Sequence, residues 1–292
     1  MEPISLQGKV ILITGGSRGM GREMALAYAK AGARGITITS AAASDETRDA
    51  ISRDLEAVAA EIDAAAGRPV ALALHSDVTV WEDCQSAVAR TVARFGALHV
   101  LVNNAGKSQR YHGDRNVPFW ETDPEGWRVV IDTNVVGPYR MAKAAVPEML
   151  KAGWGRIINI SKSQETMHEA FSGAYGPSKA CLDAESISWA EELADTKVTV
   201  NSIEPGGAVD TLFGRGQIRG VGLPPTVVIP VALWLASDQS AEFNGCRFDA
   251  KLWDQKLPNR AAAEACQERS LFAPPRKRKT KLDKAWKTVA AH

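Results

Sequence analysis

The sequence predicts an α/β fold: a doubly wound parallel sheet in a single domain, with helices on both faces. Three observations lead there. Short aliphatic runs alternate with longer segments of helical spacing, without a break, from residue 9 to about 245. Several of those runs are apolar at successive positions rather than at every second one, as strands covered on both faces must be. The first run also passes through a cluster of glycines directly into a helix.

In order, residues 9–14 (KVILIT) read as a strand, then a glycine turn and a helix over 22–31 that Gly32 stops. Residues 35–39 (GITIT) are the second strand, and 48–66 a long Ala- and Glu-rich helix ended by Gly67. Glycine suits these ends because it enters the left-handed region without steric cost. Residues 70–74 form a third strand, 81–94 a helix closed by Gly96, and 98–102 (LHVLV) a fourth strand. Helical spacing covers 125–150, the fifth strand is 156–160 (RIINI), a helix spans 175–195, and 197–203 (KVTVNSI) is the sixth strand. Residues 206–230, rich in Gly and Pro, read as a loop before a late helix. Beyond about 250 the alternation stops, which divides the chain into a domain over 1–250 and a C-terminal extension over 251–292. Its end holds Arg276, Lys277, Arg278, Lys279, Lys281, Lys284 and Lys287 against Asp283, and reads as a solvated tail.

With 45% hydrophobic and 24% charged residues among 292, the chain can bury a sizeable core. A net charge of +1 gives no sign of a nucleic-acid partner. Cys84, Cys181, Cys246 and Cys266 are scattered without a CxxC pair, and no HExxH or HxxxH occurs, so neither a disulfide framework nor a metal site is expected. Gln7 and Gly8 precede the first strand where a signal peptide would have an apolar run. No apolar stretch reaches the ~18 residues of a membrane span. The expectation is a soluble cytoplasmic protein.

The first strand runs into Thr14-Gly15-Gly16-Ser17-Arg18-Gly19-Met20-Gly21 and a helix. Glycines let backbone approach a pyrophosphate, and the helix N-terminus offers free N–H groups and the positive end of its dipole. Gly15, Ser17, Arg18, Gly19, Met20 and Gly21 are therefore candidate dinucleotide-binding residues. Tyr175 and Lys179 sit four apart on one predicted helix and share a face. Tyrosine is a poor acid or base near neutrality, with a free pKa of about 10, and a neighbouring ammonium corrects this by stabilising the phenolate. The pair suits proton transfer at a carbonyl oxygen. Tyr139 and Lys143 repeat the spacing, but no strand leads into them, and they read as a helix-face pair.

The GxxxGxG spacing of the turn, Asp77-Val78 after the third strand, Asn103-Asn104-Ala105-Gly106 after the fourth, Asn134 within DTNVVG, the YxxxK of Tyr175 and Lys179, and Pro205-Gly206 after the sixth strand occur in order. Over residues 8 to about 250 this set resembles the short-chain dehydrogenase/reductase family. The resemblance implies a Rossmann-type domain that binds a nicotinamide dinucleotide and interconverts ketones or aldehydes with alcohols. It places Asp77 and Val78 at the adenine, and Asn103, Asn104, Ala105 and Gly106 against the cofactor. Pro205 and Gly206 would lie beside the nicotinamide, and Asn134 would hold a water that links Lys179 to solvent. It further implies a homodimer or homotetramer paired through the helices that carry Asn134 and Tyr175, and a substrate-side lid over 210–224. Trp120, Trp127, His168, Phe171 and Phe213 are candidates for a pocket lining.

The second strand ends Thr39-Ser40-Ala41-Ala42, with no carboxylate before Asp45 to meet the ribose hydroxyls of NAD. With Thr39 at that end and Arg18 able to present a guanidinium to a 2′-phosphate, NADP(H) is favoured. One departure stands out. The family's serine, thirteen residues before the catalytic tyrosine, is replaced by Lys162, with Ser161 and Ser163 on either side. A one-residue shift makes Ser163 the substrate-orienting hydroxyl. The backbone or ammonium of Lys162 is the alternative. A second reading of the whole chain, as a cofactor-binding protein with a regulatory or scaffold role and little turnover, rests on Lys162 and the basic tail.

Overall fold

The computed structural model describes residues 3–42, 45–111, 117–211, 213 and 220–272. The glycines Gly214 and Gly216 of the expected lid and the basic tail lie outside these residues.

The element order is β1 (Val10–Thr14), α1 (Gly19–Lys30), β2 (Gly35–Ser40), α2 (Asp45–Ala66), β3 (Ala71–His75), α3 (Trp81–Phe95) and β4 (Val100–Asn103). There follow α4 (Pro124–Ile131), a π-helical turn (Asp132–Val136), α5 (Gly137–Ala152), β5 (Gly155–Ile160), α6 (Tyr175–Glu192) and β6 (Val198–Glu204). The chain then forms α7 (Ile229–Leu235), β7 (Arg247–Asp249), α8 (Asn259–Cys266) and β8 (Gln267–Glu268). The strands make one sheet in the order β3-β2-β1-β4-β5-β6-β7-β8, parallel except for β8, which runs antiparallel to β7.

Alternate residues of each strand feed two cores. Ile11, Ile13, Val100, Val102, Ile158 and Ile160 face α1, α2, α7 and α8, whereas Leu12, Leu101 and Ile157 face α3 and α5. This two-sided burial explains the continuous apolar runs. The doubly wound parallel α/β sheet is the architecture expected, with one addition: the packing continues past residue 250. Trp234 is fully buried against the rings of Phe243, Phe248 and Trp253, and Ala262, Ala263 and Cys266 of α8 close the same core. The two-residue β8 is too short to give alternation a foothold.

The single helix expected over 125–150 is two helices joined by the π turn. Asp123 caps α4, accepting from the N–H groups of Glu125 and Gly126 at 3.0 and 3.2 Å. At the junction the Gly137 N–H donates to the Asp132 carbonyl, five residues back. Pro138, having no N–H, cannot restore the four-residue register at the next step. Asn134 sits inside this widened turn.

Candidate active site

The strand order reverses between β1 and β4, so the loops leaving their C-terminal ends diverge and open a crevice. A cleft of about 1210 Å³ occupies that place, and the ends of β1, β2, β4, β5 and β6 all contribute to its wall.

At one end lies the glycine turn. Gly15 and Gly19 adopt φ of +66° and +56°, a conformation that favours glycine. Gly21 is required by proximity. A Cβ there would lie 2.6 Å from Asn104 Nδ2 and closer still to the Gly15 carbonyl oxygen. Asn104 draws the β4 loop onto the turn, its Nδ2 donating to the carbonyls of Thr14 and Gly15, both at 2.9 Å. Thr14 Oγ1 accepts from the N–H groups of Asn104 and Ala105 at 3.1 and 3.0 Å. The N-cap of α1, Arg18, makes no side-chain cap, and the first turn of the helix has no acidic residue. Its leading N–H groups and positive dipole end thus meet the cleft with no acidic side chain in the first turn. This cradle fits a pyrophosphate.

Gly15, Ser17, Arg18, Gly19, Met20, Thr39, Asp77, Val78, Asn104, Ala105, Gly106, Pro205, Ser163, Tyr175 and Lys179 all line the cleft. Among the candidates named from sequence, Asn103, Gly21, Gly206 and Asn134 do not. Asn103 is buried in the sheet and donates to Asn159 Oδ1 at 2.8 Å. Gly21 supports the turn from behind. Gly206, at φ +84°, faces β7: a Cβ there would strike Asp249 Oδ1 and Lys251, and the neighbouring Gly207 forms the wall. Asn134, fully buried, clamps the loop after β4, accepting from the Lys107 N–H at 2.7 Å and donating to the Lys107 carbonyl at 2.8 Å and Ser178 Oγ at 3.0 Å. Both its side-chain N–H donors are spent in this way. Of the candidate aromatics, Phe171 and Phe213 line the cleft, while Trp120, Trp127 and His168 do not.

Tyr175 and Lys179 occupy the first turn and a half of α6, at the other end of the cleft. Burial pushes the Tyr175 phenol up to about 12. The ring of Phe213 lies 5.7 Å away. Lys179 is buried, and its Nζ donates to the Ile160 carbonyl at 2.7 Å. Burial pushes its ammonium down to about 8, and the Asp183 carboxylate one turn further along α6 opposes the fall. Tyr139, by contrast, is exposed on α5, with Lys143 Nζ 5.8 Å from its ring and 5.3 Å from that of Trp81.

Beneath this end lies a buried charge cluster that the sequence reading misses. Arg247 of β7 donates to Asp183 Oδ2 at 2.5 Å, to Glu268 Oε2 at 2.8 Å and to Ser161 Oγ at 3.3 Å. It also donates to the Lys162 carbonyl and lies 3.4 Å from Glu204 Oε2. Burial raises both Asp183 and Glu204, the latter up to about 8, with Arg247 opposing the rise in each. Asp183 was within reach of sequence reasoning, because it continues the i, i+4 spacing of Tyr175 and Lys179. Arg247 was not, because a three-residue strand has no pattern to read.

Residues 9–217 match a family model described as short chain dehydrogenase. The trans-4-hydroxycyclohexanecarboxylate dehydrogenase of Sinomonas cyclohexanicum is 36% identical over 244 residues, covering 81% of this chain and 89% of that protein. The 2,5-dichloro-2,5-cyclohexadiene-1,4-diol dehydrogenase LinX of Sphingobium indicum is 36% identical over 252 residues, covering 82% and 93%. Among solved structures, a short chain dehydrogenase from Shigella flexneri complexed with NADP superposes with a TM-score of 0.73 at 28% identity, covering 86% of this chain and 100% of that one. With the fold, the glycine turn and the extent of these matches agreeing, the chain belongs to the short-chain dehydrogenase/reductase family of oxidoreductases.

Proposed function

We propose that this chain is an NADP(H)-dependent oxidoreductase that moves a hydride between the nicotinamide and a ketone or aldehyde, or in reverse a secondary alcohol, with Tyr175 as general acid and base. The observation that carries the reading is one cleft with the glycine turn at one end and Tyr175 and Lys179 at the other. When bound, the nicotinamide supplies or accepts the hydride. The remaining tasks fall to side chains. A phenol held at about 12 keeps its proton at neutral pH and is set to deliver it to a carbonyl oxygen. The cation of Lys179, one turn along the same helix and anchored on Ile160, stabilises the phenolate left behind.

The choice of NADP(H) over NAD(H) is supported by the end of β2. Thr39, Ser40, Ala41 and Ala42 line the cleft without a carboxylate among them, the exposed Arg18 stands on the same wall, and Thr47 in the first turn of α2 closes that end. The NADP of the Shigella neighbour agrees with this choice. Both relatives described above act, by their names, on six-membered rings, and we assign a cyclic secondary alcohol or its ketone as the substrate class. In line with the family, we infer a homodimer or homotetramer, which light scattering would read.

The test is NADPH oxidation against a panel of ketones and aldehydes that includes cyclohexanone, with NADPH and NADH binding measured by fluorescence titration. We expect Tyr175→Phe to lower kcat by at least about 100-fold with NADPH affinity within about twofold of wild type. Tyr139→Phe leaves turnover in place. Tight NADPH binding with no turnover of any compound would refute the oxidoreductase reading in favour of a cofactor-binding protein.

A further inference from the structure

An oxygen about to receive the Tyr175 proton needs a second hydrogen-bond donor to hold the carbonyl in place and to share the charge that develops on it. The loop after β5 contributes Ser161, Lys162 and Ser163 to the same cleft as Tyr175 and is a segment that can supply that donor. The three residues are held differently.

Ser161 is committed elsewhere. It is buried, and its Oγ accepts from Arg247 Nη1 at 3.3 Å. That bond holds the hydroxyl oxygen on the Arg247 guanidinium beneath the floor. Ser163 begins a tight turn, its carbonyl accepting from Thr166 N and Oγ1 at 3.1 and 2.9 Å. Lys162 brings its ammonium to 5.5 Å from the centre of the Tyr175 ring. Its side chain is 18% exposed, so the charge sits at the cleft wall rather than in open solvent. Nζ donates to the Thr166 carbonyl at 2.6 Å and lies 3.6 Å from Glu169 Oε2. An ammonium has three donors, and these two partners leave one for the cleft. Its backbone is pinned as well, because the Lys162 carbonyl accepts from Arg247. An ordinary surface lysine is neither tethered at its head nor fixed at its root.

We propose that Lys162, through its ammonium, is the group that hydrogen-bonds the reacting oxygen of the substrate, in place of a serine hydroxyl. In the reductive direction the carbonyl carbon takes the hydride and the π pair moves onto oxygen. Tyr175 gives that oxygen its proton and becomes a phenolate, which solvent reprotonates. Lys162 keeps its proton throughout, and its charge strengthens the hydrogen bond as the alkoxide forms. Thr166 and Glu169 hold the head in place, so that little reorganisation is needed at the moment of reaction.

This inference rests on the oxidoreductase reading, and the experiment separates the two. The full-length chain, wild type and Lys162→Ala, is assayed with NADPH and the neutral ketones of the panel. Lys162→Ala should lose about 100-fold or more in kcat while KM for NADPH holds. Methylammonium ion should restore at least tenfold of the loss, saturably, in Lys162→Ala but not in Lys162→Met, where the side chain fills the vacated space. A Lys162→Ala kcat within threefold of wild type, or a comparable loss in Ser163→Ala alone, overturns the proposal and leaves the oxidoreductase reading standing. In parallel, trifluoroethanol, a weakly acidic alcohol that resists oxidation, is titrated calorimetrically into each protein with NADP+ bound. Affinity at least tenfold weaker in Lys162→Ala supports the assignment even if wild type turns over nothing on the panel, an outcome that would defeat the oxidoreductase reading alone. Equal affinities overturn it.

Discussion

Removing Arg247 should expose how much of the site depends on residues beyond the sixth strand. The side chain is 2% exposed and is the cation between Asp183 and Glu204, each 3% exposed, and the more accessible Glu268. Arg247→Met keeps the length and apolar bulk of the stem but leaves two buried carboxylates without their counter-charge. Breaking a buried pair by deleting one partner costs about 3–5 kcal/mol. For a domain of this size that corresponds to a Tm lowered by about 6–10 °C. The loss should grow with pH. Glu204 has its folded pKa raised to about 8 from an ordinary 4.5, and Asp183 is also raised. A raised carboxyl costs the fold nothing below its unfolded pKa, where both states hold the proton. It costs progressively more as pH climbs to the folded value, because only the unfolded chain can release the proton easily. Arg247 opposes that rise in wild type, so its removal widens the window upward. Calorimetric melting of both proteins at pH 5 and pH 8.5 reads the effect. A Tm change under 2 °C at pH 8.5, or the same gap at both pH values, would refute the assignment of Arg247 as the counter-charge of the cluster.

Three further outcomes follow from the site. Gly21→Ala drives a Cβ to 2.6 Å from Asn104 Nδ2, and an overpacking cost of about 1–3 kcal/mol should weaken NADPH binding roughly ten- to hundredfold in a fluorescence titration. Lys179 must be charged to stabilise the phenolate and is held down to about 8, so kcat/KM should fall as pH rises through about 8. A flat pH–rate profile between pH 7 and 9.5 would refute that role. On the proposed preference for NADP(H), Arg18→Glu sets a repelling charge where a 2′-phosphate would bind, which should cost NADPH roughly ten- to hundredfold in affinity while NADH binding changes little.

Much of the fold was legible because parallel strands covered on both faces declare themselves as short continuous apolar runs. Ile11, Leu12 and Ile13 feed opposite cores from successive positions, and the run reads as a strand without knowledge of either partner. The glycine turn was legible for a related reason, since strand, glycines and helix are contiguous. What escaped was non-local or brief. The π turn at Asp132–Val136 depends on a proline four residues past Asn134 inside an otherwise helical stretch, which spacing alone reads as one helix. Strands β7 and β8 have three and two residues and are held by pairing rather than by pattern. The resemblance also placed Asn103 and Gly206 at the cofactor, whereas Asn103 is buried in β4 and Gly206, in the loop after β6, faces Asp249. A motif names neighbours in the chain but not which of them faces inward.

The charge cluster joins these two parts of the molecule. Lys179 faces the cleft with Asp183 one turn below it. Asp183 is bonded to Arg247, and Arg247 is bonded to the backbone of Lys162. A single guanidinium therefore ties α6 to the loop after β5, the two segments that carry Tyr175, Lys179 and Lys162. Arg247 lies on β7, past the family match over residues 9–217, and is held in turn by Glu268 on β8. The last strands of the sheet thus do more than extend the core. They supply the fixed cation against which the floor of the cleft is built, so the geometry of the chemistry depends on residues that the motifs do not include.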